Sequence, residues 1–172
     1  MTTPTLRQFF RHQLAREFQC CGLAEPQALD YVSDVLSRFA RTSALYALRD
    51  NDGRSLDYLV DMRAAHYRAS RERAREILRH IGEYALFMSG LFRERIDARG
   101  ELEYYFAEGA GAYSGCAEHE PNPAQRQLYR RVGHQFRTIS GALDHVRREQ
   151  WPLAATVPPP SRDTLLESLW RR

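Results

Sequence analysis

The chain has no lysine: all 25 of its basic residues are arginine. Schiff-base chemistry and the phosphate-binding lysine of a Walker loop are therefore excluded. Cysteine is scarce, with three in 172 residues, and Cys20 and Cys21 are adjacent. A bridge between neighbours is strained, so no disulfide framework is expected. The three read as buried or half-buried free thiols in a reducing compartment. Long hydrophobic runs are missing too. The longest nearly uninterrupted one, Tyr84 to Phe92, falls far short of the roughly 20 residues that span a bilayer. The first segment carries Arg7, Arg11 and Arg16 at helical spacing and lacks the continuous apolar core of a secretory signal. These absences give a cytoplasmic reading with no membrane partner. No charge of one sign dominates: the net charge is +3, and acidic residues are interleaved with arginines.

Catalytic loops are missing as well. There is no Gly-x-Ser-x-Gly elbow. Gly109-Ala-Gly-Ala lies inside a helical pattern and follows no strand, so a dinucleotide-binding reading fails its context test.

What is present is helical periodicity in a composition of 43% hydrophobic and 27% charged residues, normal for one globular domain. Leu6, Phe9, Phe10, Leu14, Phe18 and Cys21 mark a first helix between Pro4 and Gly22. Pro26 opens a second with Leu29, Val32, Val35, Leu36 and Phe39. Asp50-Asn-Asp-Gly53 is a turn, and Ser55 is expected to cap a third helix. A fourth spans about 69–95, and its mixed charges three and four apart read as a mutually paired, solvated face. Arg99-Gly100 ends that unit. A fifth helix covers about 101–118. Asn122, Pro123 and Gln125 form a capping-box start for a sixth. Along it Leu128, Val132, Phe136, Ile139, Leu143 and Val146 make one buried stripe. Residues 152–160 read as a proline-rich spacer and 161–172 as a short docking helix with Leu165, Leu166, Leu169 and Trp170. The expectation is an all-α, single helical-bundle-like domain of six to seven helices over residues 1–151, with the fourth, fifth and sixth as its core.

On the fourth helix Gly82, Ala85 and Ser89 share a face, and on the fifth Gly109, Ala112 and Cys116 do the same. Glycine inside a helix costs ~1 kcal/mol relative to alanine, so close approach of two helix backbones is the expected compensation. These two helices should form a tight antiparallel hairpin. Tyr84, Phe87, Tyr105, Gly109 and Tyr113 surround the seam. They are either plain core or the lining of an aromatic pocket for a planar ligand. Gly82, Glu83, Ala85, Leu86, Phe87, Gly90 and Phe92, followed by Tyr104, Tyr105, Gly109, Ala112 and Tyr113, resemble a pattern in a group of uncharacterised bacterial helical proteins. Glu83 departs from it, where aspartate is expected. The resemblance covers about the middle third of the chain. It implies a helical fold centred there and no activity.

Other chemistry is incomplete. Glu76, His80 and Glu83 share a helical face, but the Glu-x-x-His spacing of a di-iron bundle is absent. Cys116-x-x-His119 is half of a zinc site without its other half. No metal and no cofactor are expected. His134-Gln-Phe-Arg-Thr-Ile-Ser-Gly141 resembles the phosphoacceptor helix of histidine phosphotransfer domains. The resemblance implies His134 as acceptor and Arg137 as phosphate-holding cation, with Thr138 and Ile139 departing from the pattern. Arg68, Arg71, Arg75 and Arg79 form one basic face, and Arg126, Arg130, Arg131 and Arg137 another, as phosphate contacts would need. With no catalytic constellation complete, the reading is a non-catalytic protein-interaction or regulatory module with a protein partner or in a homo-oligomer. Ligand-binding, phosphotransfer and nucleic-acid-binding roles are the alternatives.

Overall fold

Thr5 starts the first helix, α1 (Leu6–Cys20), through a reciprocal cap. The Gln8 N–H donates to its hydroxyl, and its own N–H donates to the Gln8 side chain at 2.8 Å. The computed structural model describes residues 5–23 and 25–150. The expected spacer at 152–160 and docking helix at 161–172 lie outside the described residues. Gly22, at φ 71°, stops α1 as the sequence suggests. Helix α2 (Pro26–Phe39) starts on its proline and buries Leu29, Val32, Val35, Leu36 and Phe39.

The region between α2 and the next long helix departs from expectation. It holds a single turn, α3 (Thr42–Leu45), and the Asp50–Gly53 turn. There the Asp50 Oδ1 accepts from the Asp52 and Arg54 N–H groups. Gly53 sits at φ 79°, and Arg49 pairs with Ser55 in an isolated bridge. Ser55 does not cap a helix. Its hydroxyl lies 2.6 Å from Asp57 Oδ1 and 3.2 Å from the Tyr46 carbonyl. Helix α4 (Leu59–Tyr67) begins later, with Tyr58 at its N-cap.

Helix α5 (Arg71–Leu91) is the centre of the molecule. Ser70 caps it, and Ile77 to Leu91 is almost wholly buried. The expected run to 95 is interrupted at Phe92, and a short α6 (Arg93–Ala98) follows. Gly100, at φ 72°, turns the chain into α7 (Leu102–His119). Asn122 caps α8 (Pro123–His134) by accepting from the Ala124 and Gln125 N–H groups. The expected reciprocal bond from Gln125 is replaced: the Asn122 N–H donates to Glu120 Oε1.

The single sixth helix of the sequence reading is two helices. It breaks at Gln135, and α9 (Phe136–Gln150) takes a new direction. The reason is the partners: α8 packs mainly on α7, whereas α9 packs on α5 and α1. One straight stripe cannot face both. The break also lets Phe136, 1% exposed, insert beside Gly109. The architecture is thus all-α. It holds nine helical segments among the described residues rather than six to seven, because two expected helices are broken and α3 is added.

The α5–α7 hairpin is antiparallel and close. Gly82 lies against the Tyr113 ring, Ala85 against Gly109, and Leu78 against Gly115. A Cβ on Gly109 would meet Phe136 Cζ at 2.2 Å and Ala85 Cβ at 2.9 Å, which explains glycine there. Ser89 does not join this seam. It turns to α9, where its hydroxyl is 3.0 Å from that of Ser140.

Candidate functional site

The five aromatic-pocket candidates do not surround one space. Tyr84 is buried and donates to the Asp57 carbonyl at 3.1 Å, with its ring beside Tyr105. Tyr105 is half-buried. Phe87 faces α2 and touches Phe39 and Phe92. Gly109 is covered by Phe136, and Tyr113 packs among Tyr31, Tyr129 and Phe136.

Within this interior lies a polar group that the sequence reading missed. Glu83 is 2% exposed. Its Oε1 accepts from the Tyr31 hydroxyl and from Arg38 Nη2, each at 2.9 Å, and its Oε2 accepts from Arg38 Nη1 at 3.3 Å. The Tyr113 hydroxyl is 3.3 Å from that of Tyr31. Burial raises the pKa of both tyrosines well above the ordinary range, so they act as neutral hydrogen-bonding groups. Arg38 is also held by Asp34 Oδ2 at 2.9 Å. Both carboxylate oxygens are thereby occupied, and the network ties α2 to α5 and α7. A buried charge kept with full hydrogen bonding is a structural lock rather than a poised base. Its signal in the sequence was a lone glutamate inside the most apolar segment, assigned instead to a face with Glu76 and His80.

His134 is exposed at the last position of α8, and Arg137 lies beyond the bend in α9. The Arg137 guanidinium is turned to α7. It makes a two-point ion pair with Glu103, with Nη1 2.8 Å from Oε1, and lies 4.7 Å over the Phe106 ring. Ser140, which matches a small residue of that pattern on the turn after the acceptor, is fully buried. The second basic face is largely committed: Arg126 donates to the Glu120 carbonyl and Arg131 pairs with Glu25 at 2.6 Å.

Cys20 and Cys21 are exposed, which corrects the expectation of buried or half-buried thiols, while Cys116 is buried. Burial pushes the Cys116 thiol up to about 11, so it is a poor thiolate donor. Among the described residues, the side chains that bring metal-ligating atoms together are Glu17, His145 and Glu149. Cys116 and His119 are not among them.

The open chemistry of the molecule is on α4. This helix buries only Leu59 and Met62. Val60 (64% exposed) and Tyr67 (75%) point outward with the small, exposed Ala64 between them. These positions at i, i+4 and i+7 form one helical stripe. Tyr58, at the N-cap of α4, and Tyr104, on the first turn of α7, are exposed too, and with Val60 and Tyr67 they are the exposed large hydrophobic side chains of the described residues. Arg63 stiffens the patch: its Nε is 2.9 Å from Glu108 Oε2 of α7, and its guanidinium lies 5.6 Å over the Tyr67 ring. Asp61 and Arg68, both exposed, flank the stripe seven residues apart on one side. Neither forms an ion pair among the described residues.

Comparison with models of known families, with curated proteins and with solved structures finds no match to this chain.

Proposed function

We propose that this protein is a non-catalytic interaction module that associates with a second copy of itself by packing α4 antiparallel against α4 of that copy. The observation that carries the reading is the exposure of Val60 and Tyr67 on one stripe of α4, with exposed Tyr58 at its N-cap. Exposed aromatics held by an arginine are the composition of a protein interface.

The register favours a second copy as the occupant. About a two-fold axis at Ala64, Val60 lies within one residue's rise (~1.5 Å) of Tyr67 of the other copy, and Asp61 within the same offset of its Arg68. The stripe is self-complementary in shape and in charge, as an isologous contact requires. Ala64 on the axis lets the helices approach. Burial of a Val or Tyr side chain contributes roughly 1.5–3 kcal/mol before association costs. A nine-residue helix offers a contact at the small end of specific interfaces, so exchange should be fast and concentration-dependent. No helix among the described residues is long and apolar enough to cross a membrane, so the apolar face is read as a protein contact.

Sedimentation equilibrium of the wild type against Val60→Ser/Tyr67→Ser tests this. The wild type should show a monomer–dimer equilibrium and the double variant only monomer. A wild type that stays monomeric at the highest soluble concentration, or a double variant that dimerises equally well, refutes the reading.

A further inference from the structure

Among the described residues three carboxylates are buried, and they are compensated unequally. Glu83 is held by Arg38. Asp144, 2% exposed, lies 3.2 Å from Arg147 Nη2 and 2.6 Å from Arg148 Nη2. Glu17, 9% exposed, meets no arginine among the described residues. Its partner is an imidazole: His145 Nδ1 is 2.9 Å from Glu17 Oε2. On its other edge His145 Nε2 is 3.8 Å from Glu149 Oε1, a second carboxylate one turn along α9. Two carboxylates thus share one imidazole. A buried anion left short of positive charge is costly, and a divalent cation supplies more of it than a single imidazole can.

The ligand atoms suit such an ion. One atom from each of Glu17, His145 and Glu149 lies within 4.8 Å of the others. Donors on a common tetrahedral ion at bonds of ~2.0–2.2 Å sit roughly 3.4 Å apart, so Glu149, half-exposed on the last turn of α9, has to swing inward to complete the site. Beside them is a cavity of about 410 Å³ lined in part by Glu17, Glu149, His12 and Arg16. It provides room for a fourth ligand, either water or the His12 imidazole. Among the described residues that line the cavity, Arg16 carries the opposing charge.

We infer that Glu17, His145 and Glu149 bind one divalent transition-metal ion of the zinc class, clamping α1 to α9. A donor set of imidazole nitrogen and carboxylate oxygen suits Zn²⁺ or Mn²⁺ over the all-oxygen preference of Mg²⁺. This site lies apart from the α4 face and does not depend on it.

The test is calorimetric titration of the chelator-treated full chain with Zn²⁺, with Mg²⁺ as the hard-ion control. All proteins carry Cys20→Ser/Cys21→Ser, to remove the exposed thiols near the C-terminus of α1. One-site Zn²⁺ binding is expected, weakened at least about tenfold by His145→Gln or Glu149→Gln. Arg16→Gln should tighten it. Zn²⁺ should raise the melting temperature of the parent protein but not that of the two weakened variants. Glu149→Gln is at a half-exposed position, so its failure to bind cannot be ascribed to misfolding. Zn²⁺ affinity that is unchanged in both variants, or absent once the two cysteines are replaced, overturns the proposal.

Discussion

The α5–α7 seam and the outer face of α4 both depend on tyrosine, in opposite environments. In the seam Tyr113, Tyr129 and Tyr84 are at most 5% exposed, and the Tyr31, Tyr113 and Tyr84 hydroxyls have partners at 2.9–3.3 Å. At the N-cap of α4 and at its end, Tyr58 and Tyr67 are 69% and 75% exposed, and Tyr67 is braced by Arg63 above its ring and the His66 ring at its edge. The seam is saturated: its polar groups bond one another and its small residues admit no extra atom. The α4 face is unsaturated: its apolar surface and its flanking charges lack counterparts among the described residues. Residue type alone does not separate a core from an interface; the state of its partners does.

Substitutions in the seam should therefore damage the fold. The largest effect is expected for Gly109→Val, because a Cβ there already collides with Phe136 and Ala85. Overpacking of this kind costs about 3 kcal/mol, visible as a lower urea midpoint. Gly111 is the control on the same helix, since a Cβ there meets nothing within 4 Å. Gly111→Ala should stabilise by about 0.5–1 kcal/mol. If both substitutions act alike, the close approach is not what fixes glycine at 109.

Glu83→Ala comes next. It strips the acceptor from the Tyr31 hydroxyl and from Arg38. The cost should be about 2–3 kcal/mol, below the range for a fully buried pair because Arg38 can turn to water. Tyr31→Phe should cost only about 1 kcal/mol. Equal costs in denaturant unfolding would contradict the central place given to the carboxylate.

Alkaline pH tests the same interior without mutation. Burial raises the folded-state pKa of Tyr31, Tyr113, Tyr84 and Cys116 above their ordinary values of 10.0 and 9.0. A raised folded pKa means that the native state binds the proton more tightly. That stability is complete below the unfolded-state values and is lost progressively as pH rises from them through the raised folded-state ones. The melting temperature should fall from about pH 9 upward, with tyrosinate absorbance from the buried rings appearing together with unfolding. Ionisation of these rings in the native fold, ahead of unfolding, would contradict the burial argument.

The smallest stability effect belongs to the α4 face. Tyr67→Ser should leave monomer stability within about 0.5 kcal/mol while weakening association. A large loss of stability would place Tyr67 in the core after all.

Much of this contrast was legible in the sequence, unevenly. Periodicity located α1, α2, α5 and α7, and the small residues at 82, 85 and 109 located the seam, because both signals are local. The break at Gln135 was hidden because the stripe from Leu128 to Val146 keeps its spacing across it. Only the third dimension shows that its two halves face different helices. Glu83 was misassigned because its partners, Tyr31 and Arg38, come from a helix about fifty residues earlier. The α4 stripe escaped notice for a related reason. Leu59, Val60, Met62 and Tyr67 are apolar all round the helix, and spacing does not tell which of them the rest of the chain covers.

The most direct test of the self-association account is a charge-reversal cycle read by sedimentation equilibrium. Asp61→Arg and Arg68→Asp each place like charges opposite one another across the two-fold. Each should weaken dimerisation about tenfold or more. The double variant Asp61→Arg/Arg68→Asp restores opposite charges in the exchanged sense and should recover the wild-type dimer. A double variant no better than either single one, or single variants that dimerise like the wild type, would contradict the antiparallel α4 contact.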